Sequence, residues 1–238
     1  IDGSVTLSVC GGTFTNVFGG SKGVTPAANA TDEQKAEASA GISGDVTLNL
    51  FGGTIDNAFG GSDVYGNIGG KITVNMLDRG DCALTVHNIY GGGRNAEYRP
   101  DTPGAYPEVN LIHGTVSKSS ANSTDGNVFG GGLGSTAIVN SSPKVNVGYD
   151  TSMSTLVTSL LPANTPFTTA SVTVQGNVYG GGEQAQVAKG TSVNIQQGTS
   201  TGMTITTEVS GDVFGGGNLA NVCGSVEVNI EGGTVKED

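Results

Sequence analysis

The chain has 238 residues, of which 41 are glycine, with 21 acidic side chains against 10 basic ones, two histidines and no tryptophan. A formal charge of -11 argues against nucleic acid and anionic membrane surfaces as partners, since both favour basic patches. Hydrophobic residues at 35% and charged residues at 13% are not a disordered composition despite the glycine, and no apolar run approaches the ~20 residues of a membrane helix.

In chain order, an alternating segment recurs at 5–9, 46–50, 72–76, 107–111, 143–147, 191–195 and 226–230. Its period of two is that of a strand with one buried face: Val226, Val228 and Ile230 point one way, Glu227 and Asn229 the other. Pro107 and Pro143 stand first in their segments, where a missing amide is tolerated. Interleaved with it is a second motif, Asn or Asp, then Val, Ala or Ile, then Phe or Tyr, then Gly-Gly, at 16–20, 57–61, 88–92, 127–131, 177–181 and 212–216. Helix signals are confined to 32–40. Stretches 23–41, 77–87, 94–106, 117–125 and 148–170 read as loop insertions. The most apolar run, 156–161, is short and broken by Thr158 and Ser159.

The closest spacing of equivalent asparagines, Asn49 to Asn75, is 26 residues, so one unit is two or three short strands joined by glycine corners. Such a unit cannot bury its apolar face alone and must stack on its neighbours. Regular two-residue hairpins are lacking, so the stacking is parallel. The expectation is an all-β fold, a parallel β-helix (solenoid) of about six to seven coils with loop insertions. It forms one domain over 1–238, read as a fragment of a longer repeat array. Propeller blades, with four strands per ~40 residues, are the alternative.

Stacking turns each repeat position into a column. Asn49, Asn75, Asn110, Asn146, Asn194 and Asn229 form one on the polar face, suited to an amide ladder. Beside it run Thr6, Thr47, Thr73, Glu108, Lys144, Ser192 and Glu227, whose mixed charges speak against an ice-binding surface. Phe18, Phe59, Tyr90, Phe129, Tyr179 and Phe214 form an aromatic column, either a platform for sugar rings or a spine of the core. Its predominance of Phe favours the spine. The glycines that follow give close backbone approach and positive φ at the corners.

The Asn-Val-Tyr-Gly-Gly-Gly stretch at 177–182 and the Val-Asn-Ile-x-Gly-Gly-Thr stretch at 228–234 resemble repeats of large adhesin-like surface proteins of anaerobic gut bacteria. The fold is similar to the right-handed, pectate-lyase-like β-helix class. The resemblance implies an extracellular or cell-surface setting and a role in adhesion or display, and it carries over no functional residue.

Chemistry is sparse in this pattern. No lysine or helix start follows the glycine triplets, as a phosphate loop needs. Leu133, Glu183 and Asn218 stand where calcium-binding repeats need aspartate. The aspartates are scattered, and His87 and His113 lack obvious partners, so no catalytic residue, metal or cofactor is expected. Cys10, Cys82 and Cys223 are an odd count without metal-like spacing, and Cys10 and Cys223, in the first and last coils, are read as free thiols. The mixture of aromatic and charged groups at Arg94, Glu97, Tyr98, Arg99 and Tyr106 suits a glycan, with a host or bacterial surface protein as the other partner. Arg79-Gly80-Asp81 matches the integrin-recognised tripeptide. Asn29, Asn122 and Asn140 open glycosylation acceptor patterns. Neither end reads as a cap, so the expectation is either a piece of a longer array or end-to-end self-association. A polysaccharide lyase or hydrolase, or a degenerate relative of one, and a plain structural spacer are the competing readings.

Overall fold

A computed structural model describes residues 1–80 and 82–236. Among them, fourteen strands join in one sheet, and every strand pairing is parallel. The fold is all-β. Propeller blades are antiparallel, so that alternative does not describe this sheet.

Three ladders run across the chain. The first joins β1 (Val5–Phe18), β2 (Val46–Phe59), β3 (Ile72–Leu77), β5 (Pro107–Val116), β7 (Lys144–Val147), β10 (Thr191–Ile195) and β13 (Val226–Ile230). The second runs from the middle of β1 and β2 through β4 (Leu84–Tyr90) and the end of β5 to β8 (Thr169–Val174), β11 (Thr204–Val209) and β14 (Thr234–Val235). The third follows the ends of β1, β2 and β4 into β6 (Val128–Phe129), β9 (Val178–Tyr179) and β12 (Val213–Phe214). A fourth column of isolated bridges links Tyr98, Val139, Val187 and Val222.

The period-two pattern explains where the core lies. Leu48, Val74, Val109, Val145 and Val193 of the first ladder meet Ile55, Val86, Val116, Val174 and Val209 of the second in one buried cluster. Ala58, Ile89, Val128 and Val178 of the third complete it. β-Branched residues fill this space well because successive rungs set like side chains one strand-width apart.

Three readings of the chain are corrected by these elements. Residues 77–87 are not all loop, because Leu84 to His87 open β4, and Leu84, Thr85 and Val86 pair with Gly53, Thr54 and Ile55 of β2. Residues 148–170 hold a 3-10 turn (Thr151–Met153) and a helix, α2 (Ser154–Leu160). Helical structure is therefore not confined to α1 (Asp32–Ser39), whose Thr31 and Gln34 form a capping box. Val157 and Leu160 of α2 pack with Tyr149 and Met153 over Phe51, Leu77 and Ile112, a second apolar cluster outside the main core. The corner glycines also act differently from expectation. Gly19, Gly60, Gly91, Gly130 and Gly180 are not among the positive-φ residues. What they supply is closeness: a Cβ on Gly60 would lie 2.7 Å from the Gly91 oxygen and 2.6 Å from Ile72. Their amides continue the ladder, with Gly60 N donating to Tyr90 O at 2.9 Å and Gly91 N to Phe129 O at 2.8 Å.

Candidate functional site

The repeat columns decide which side chains remain for a ligand. Asn49, Asn75, Asn110, Asn146, Asn194 and Asn229 stand in register. Each amide nitrogen donates to the oxygen of the residue before it, at 2.8–3.0 Å from Asn75 onward. The column is not an open polar face: Asn75 and Asn110 are 2% and 3% exposed, covered by their neighbours above and below. A second amide ladder went unread in the sequence. Asn57 donates to Asn16 and Asn88 to Asn57 through side chains, and the backbone amides of Asn127, Asn177 and Asp212 then donate to the preceding Oδ1.

Phe18, Phe59, Tyr90, Phe129, Tyr179 and Phe214 are stacked face to face with centroids 4.7–5.0 Å apart. The four middle rings are buried and form a cluster apart from the main core. The faces of the middle rings are spent on each other, so the column offers a platform to a sugar only at its end rings, half-buried Phe18 and exposed Phe214. The Tyr90 hydroxyl donates to Glu183 at 2.6 Å. Burial, reinforced by the charges of Glu183 and Asp125, pushes this phenol far above its ordinary range.

The residues singled out between 94 and 106 separate into two groups. Tyr98 is corrected: it is 2% exposed and its hydroxyl donates to the Gly70 carbonyl at 2.8 Å. It belongs to the apolar column with Val139 and Val187, because residues 94–98 are not a free loop but carry bridges to the next rung. Burial and the charge of Asp45 hold its phenol well above the usual value. Arg94 is also engaged by the fold, paired with Asp63 at 2.8 Å and lying 5.2 Å over the Phe18 ring.

Glu97 and Arg99 remain at the surface, paired at 2.8 Å. They line a pocket of about 190 Å³ with Ser39, Tyr65 and Asn67. Tyr65 and Glu97 also line an adjoining pocket of about 390 Å³, with Asn95, Thr136 and residues 25–28 of the first insertion. Tyr65 and Asn67 were missed because they lie between repeats, in a connection too short to read as an insertion. Tyr106 lies apart from this pair of pockets, with the Lys71 ammonium 4.9 Å from its ring centre; it lines a separate pocket with Lys189 and Ser141.

The remaining motifs have structural explanations. Arg79 stacks 3.4 Å over the Phe51 ring and donates to the Leu160 carbonyl, which fastens α2 to the sheet. It is thus not presented as part of an integrin-type tripeptide, whose third member, Asp81, lies outside the described residues. The Asn140 amide donates to Glu97 and to Tyr98 O, so it is engaged rather than free as a glycan acceptor. Cys10, Cys82 and Cys223 are exposed free thiols. Among the described residues, no helix is long and apolar enough to cross a membrane. No protein-family model matches the chain, and no curated protein or solved structure matches it.

Proposed function

We propose that the three parallel ladders are walls of one β-helix (solenoid), and that the chain is a non-enzymatic module for adhesion or display at a cell surface or in secreted form. It binds glycan through loops held by a stiff body. The in-register columns support the β-helix reading, since like residues stack above like over seven rungs. The resemblance of the glycine repeats to adhesin-like surface proteins of gut bacteria supports the setting.

One observation carries the binding role: Tyr65, Asn67, Glu97 and Arg99, from successive rungs, meet around two adjoining pockets. An aromatic ring, a carboxylate, a guanidinium and an amide in one depression are the groups that hold a sugar by stacking and hydrogen bonds. Against catalysis, the two carboxylates whose charges act on Tyr90 are already engaged. Glu183 is taken by the Tyr90 hydroxyl and Asp125 by Asn88 and Asn122.

Glycan-array binding of the folded chain tests this reading. Tyr65→Ala and Arg99→Ala are each expected to weaken binding about tenfold, worth ~1.4 kcal/mol, with the thermal midpoint unchanged. Array silence favours the spacer, and turnover of a polysaccharide favours the enzyme.

A further inference from the structure

The geometry points to a second binding site, one for a single sugar ring bearing a carboxylate, in the pocket beside Tyr106. This pocket is separate from the pair described above and has a volume of about 230 Å³. That is below the ~300 Å³ at which sites for drug-sized ligands begin, so it suits one ring and not an oligosaccharide. Its walls include Pro100, Pro103, Tyr106, Asn140, Ser141 and Lys189.

Three features define the ligand. Ser141 is 5% exposed, and its Oγ has no hydrogen-bond partner among the described residues. A buried hydroxyl left in that state costs about 1–3 kcal/mol, a deficit that a ligand oxygen removes. Lys189 is exposed and forms no ion pair among the described residues. By contrast Lys71, the other cation near Tyr106, is paired with Glu108 at 2.7 Å. In a chain of net charge -11, an uncompensated ammonium over a pocket is where an anionic group is favoured. Asn140 has committed its amide nitrogen to Glu97 and Tyr98, which leaves its oxygen to accept from a sugar hydroxyl. The Tyr106 ring and the two prolines offer apolar surface to the C–H face of a pyranose.

A donor and a cation for a carboxylate, an acceptor for a hydroxyl and an apolar wall together describe an acidic sugar. A neutral sugar uses only the last two. The Asn140–Glu97 hydrogen bond at 2.7 Å ties this pocket to the first, whose wall contains Glu97.

Calorimetric titration of the full chain with 3′-sialyllactose, and with lactose as the matched sugar lacking the carboxylate, tests the site. The acidic sugar is expected to bind about tenfold tighter than lactose, with the difference shrinking as salt is raised. Lys189→Ala and Ser141→Ala are each expected to weaken it about fivefold or more, whereas Lys118→Ala, an exposed cation outside these pockets, leaves it unchanged. Circular dichroism confirms that each variant is folded. Equal binding of lactose, an unchanged affinity in Lys189→Ala, or no binding at millimolar sugar overturns the proposal. Loss of array binding through Tyr65→Ala and Arg99→Ala reads the first pocket alone, so the two readings fail separately.

Discussion

Asn110 donates its side-chain amide to the Asn75 oxygen at 3.0 Å, while its own oxygen accepts from Asn146 at 2.8 Å. A primary amide is both donor and acceptor, so an asparagine at one position per rung satisfies itself up and down the stack. No other partner is needed, which is why the column can be buried without leaving a polar group unpaired.

Replacing Asn110 by Ala breaks both bonds and leaves the Asn75 oxygen and the Asn146 amide unpaired in a buried place. Two such groups cost about 2–6 kcal/mol together. Asn229 terminates the column and is only half-buried, so Asn229→Ala is expected to cost about 1 kcal/mol or less. Urea denaturation of the two variants checks the ratio; equal losses would mean that the ladder is not a stabilising device.

The corner glycines give a second contrast within one motif. Gly60→Ala places a methyl group 2.7 Å from the Gly91 oxygen and 2.6 Å from Ile72. Both neighbours belong to adjacent rungs, and overpacking of this kind costs about 1–3 kcal/mol or more. Gly216 stands in the same motif, but a Cβ there would meet nothing within 4 Å, and the residue does not take positive φ. Gly216→Ala is therefore expected to be neutral or slightly stabilising, through a stiffer unfolded chain. Thermal melts of the two variants distinguish close approach from backbone conformation as the reason for glycine.

The two helices differ in what holds them. α1 has no buried residue, and an isolated helix of this length is marginal in water, so its amides are expected to exchange rapidly with solvent. α2 buries Val157 and Leu160 and is fastened by Arg79, so its amides exchange more slowly. Hydrogen exchange followed by mass spectrometry reads both; equal protection would remove the role given to Arg79.

What could be read from the chain was whatever repeats. The ladders and both principal columns follow from alternation and from motifs that recur at the same offset, as Asn49, Asn75 and Asn110 do. What could not be read depends on single, unrepeated contacts. Ser154–Leu160 carries β-branched residues and has no side-chain cap, so local propensity is silent; the helix forms because Phe51, Leu77 and Ile112 present an apolar strip to cover. Tyr98 lies in a stretch rich in polar and charged residues that reads as surface, yet one bridge to Val139 turns its side chain into the core. Tyr65 and Asn67 join Glu97 and Arg99 only because the rungs carrying them are stacked, a juxtaposition that sequence distance hides.

The buried phenols set the alkaline limit of the fold. Tyr90 and Tyr98 are both held protonated well above the ordinary value, chiefly by burial. In the unfolded chain they ionise near pH ~10. The folded state therefore binds more protons than the unfolded state once the pH passes that point, and stability falls as pH rises. Below it both states carry neutral phenols, and these two groups add no slope. The thermal midpoint is expected to hold steady from pH ~8 to ~9 and to drop above pH ~10. Tyr90→Phe removes one of the two groups along with its bond to Glu183. At pH ~8 it is expected to cost only about 0.5–1.5 kcal/mol, because Glu183 regains water. Above pH ~10 its midpoint should fall less steeply than that of the parent chain. Parallel slopes for the two proteins would show that the Tyr90 hydroxyl is not shielded from ionisation, and with it that the aromatic column is open to solvent.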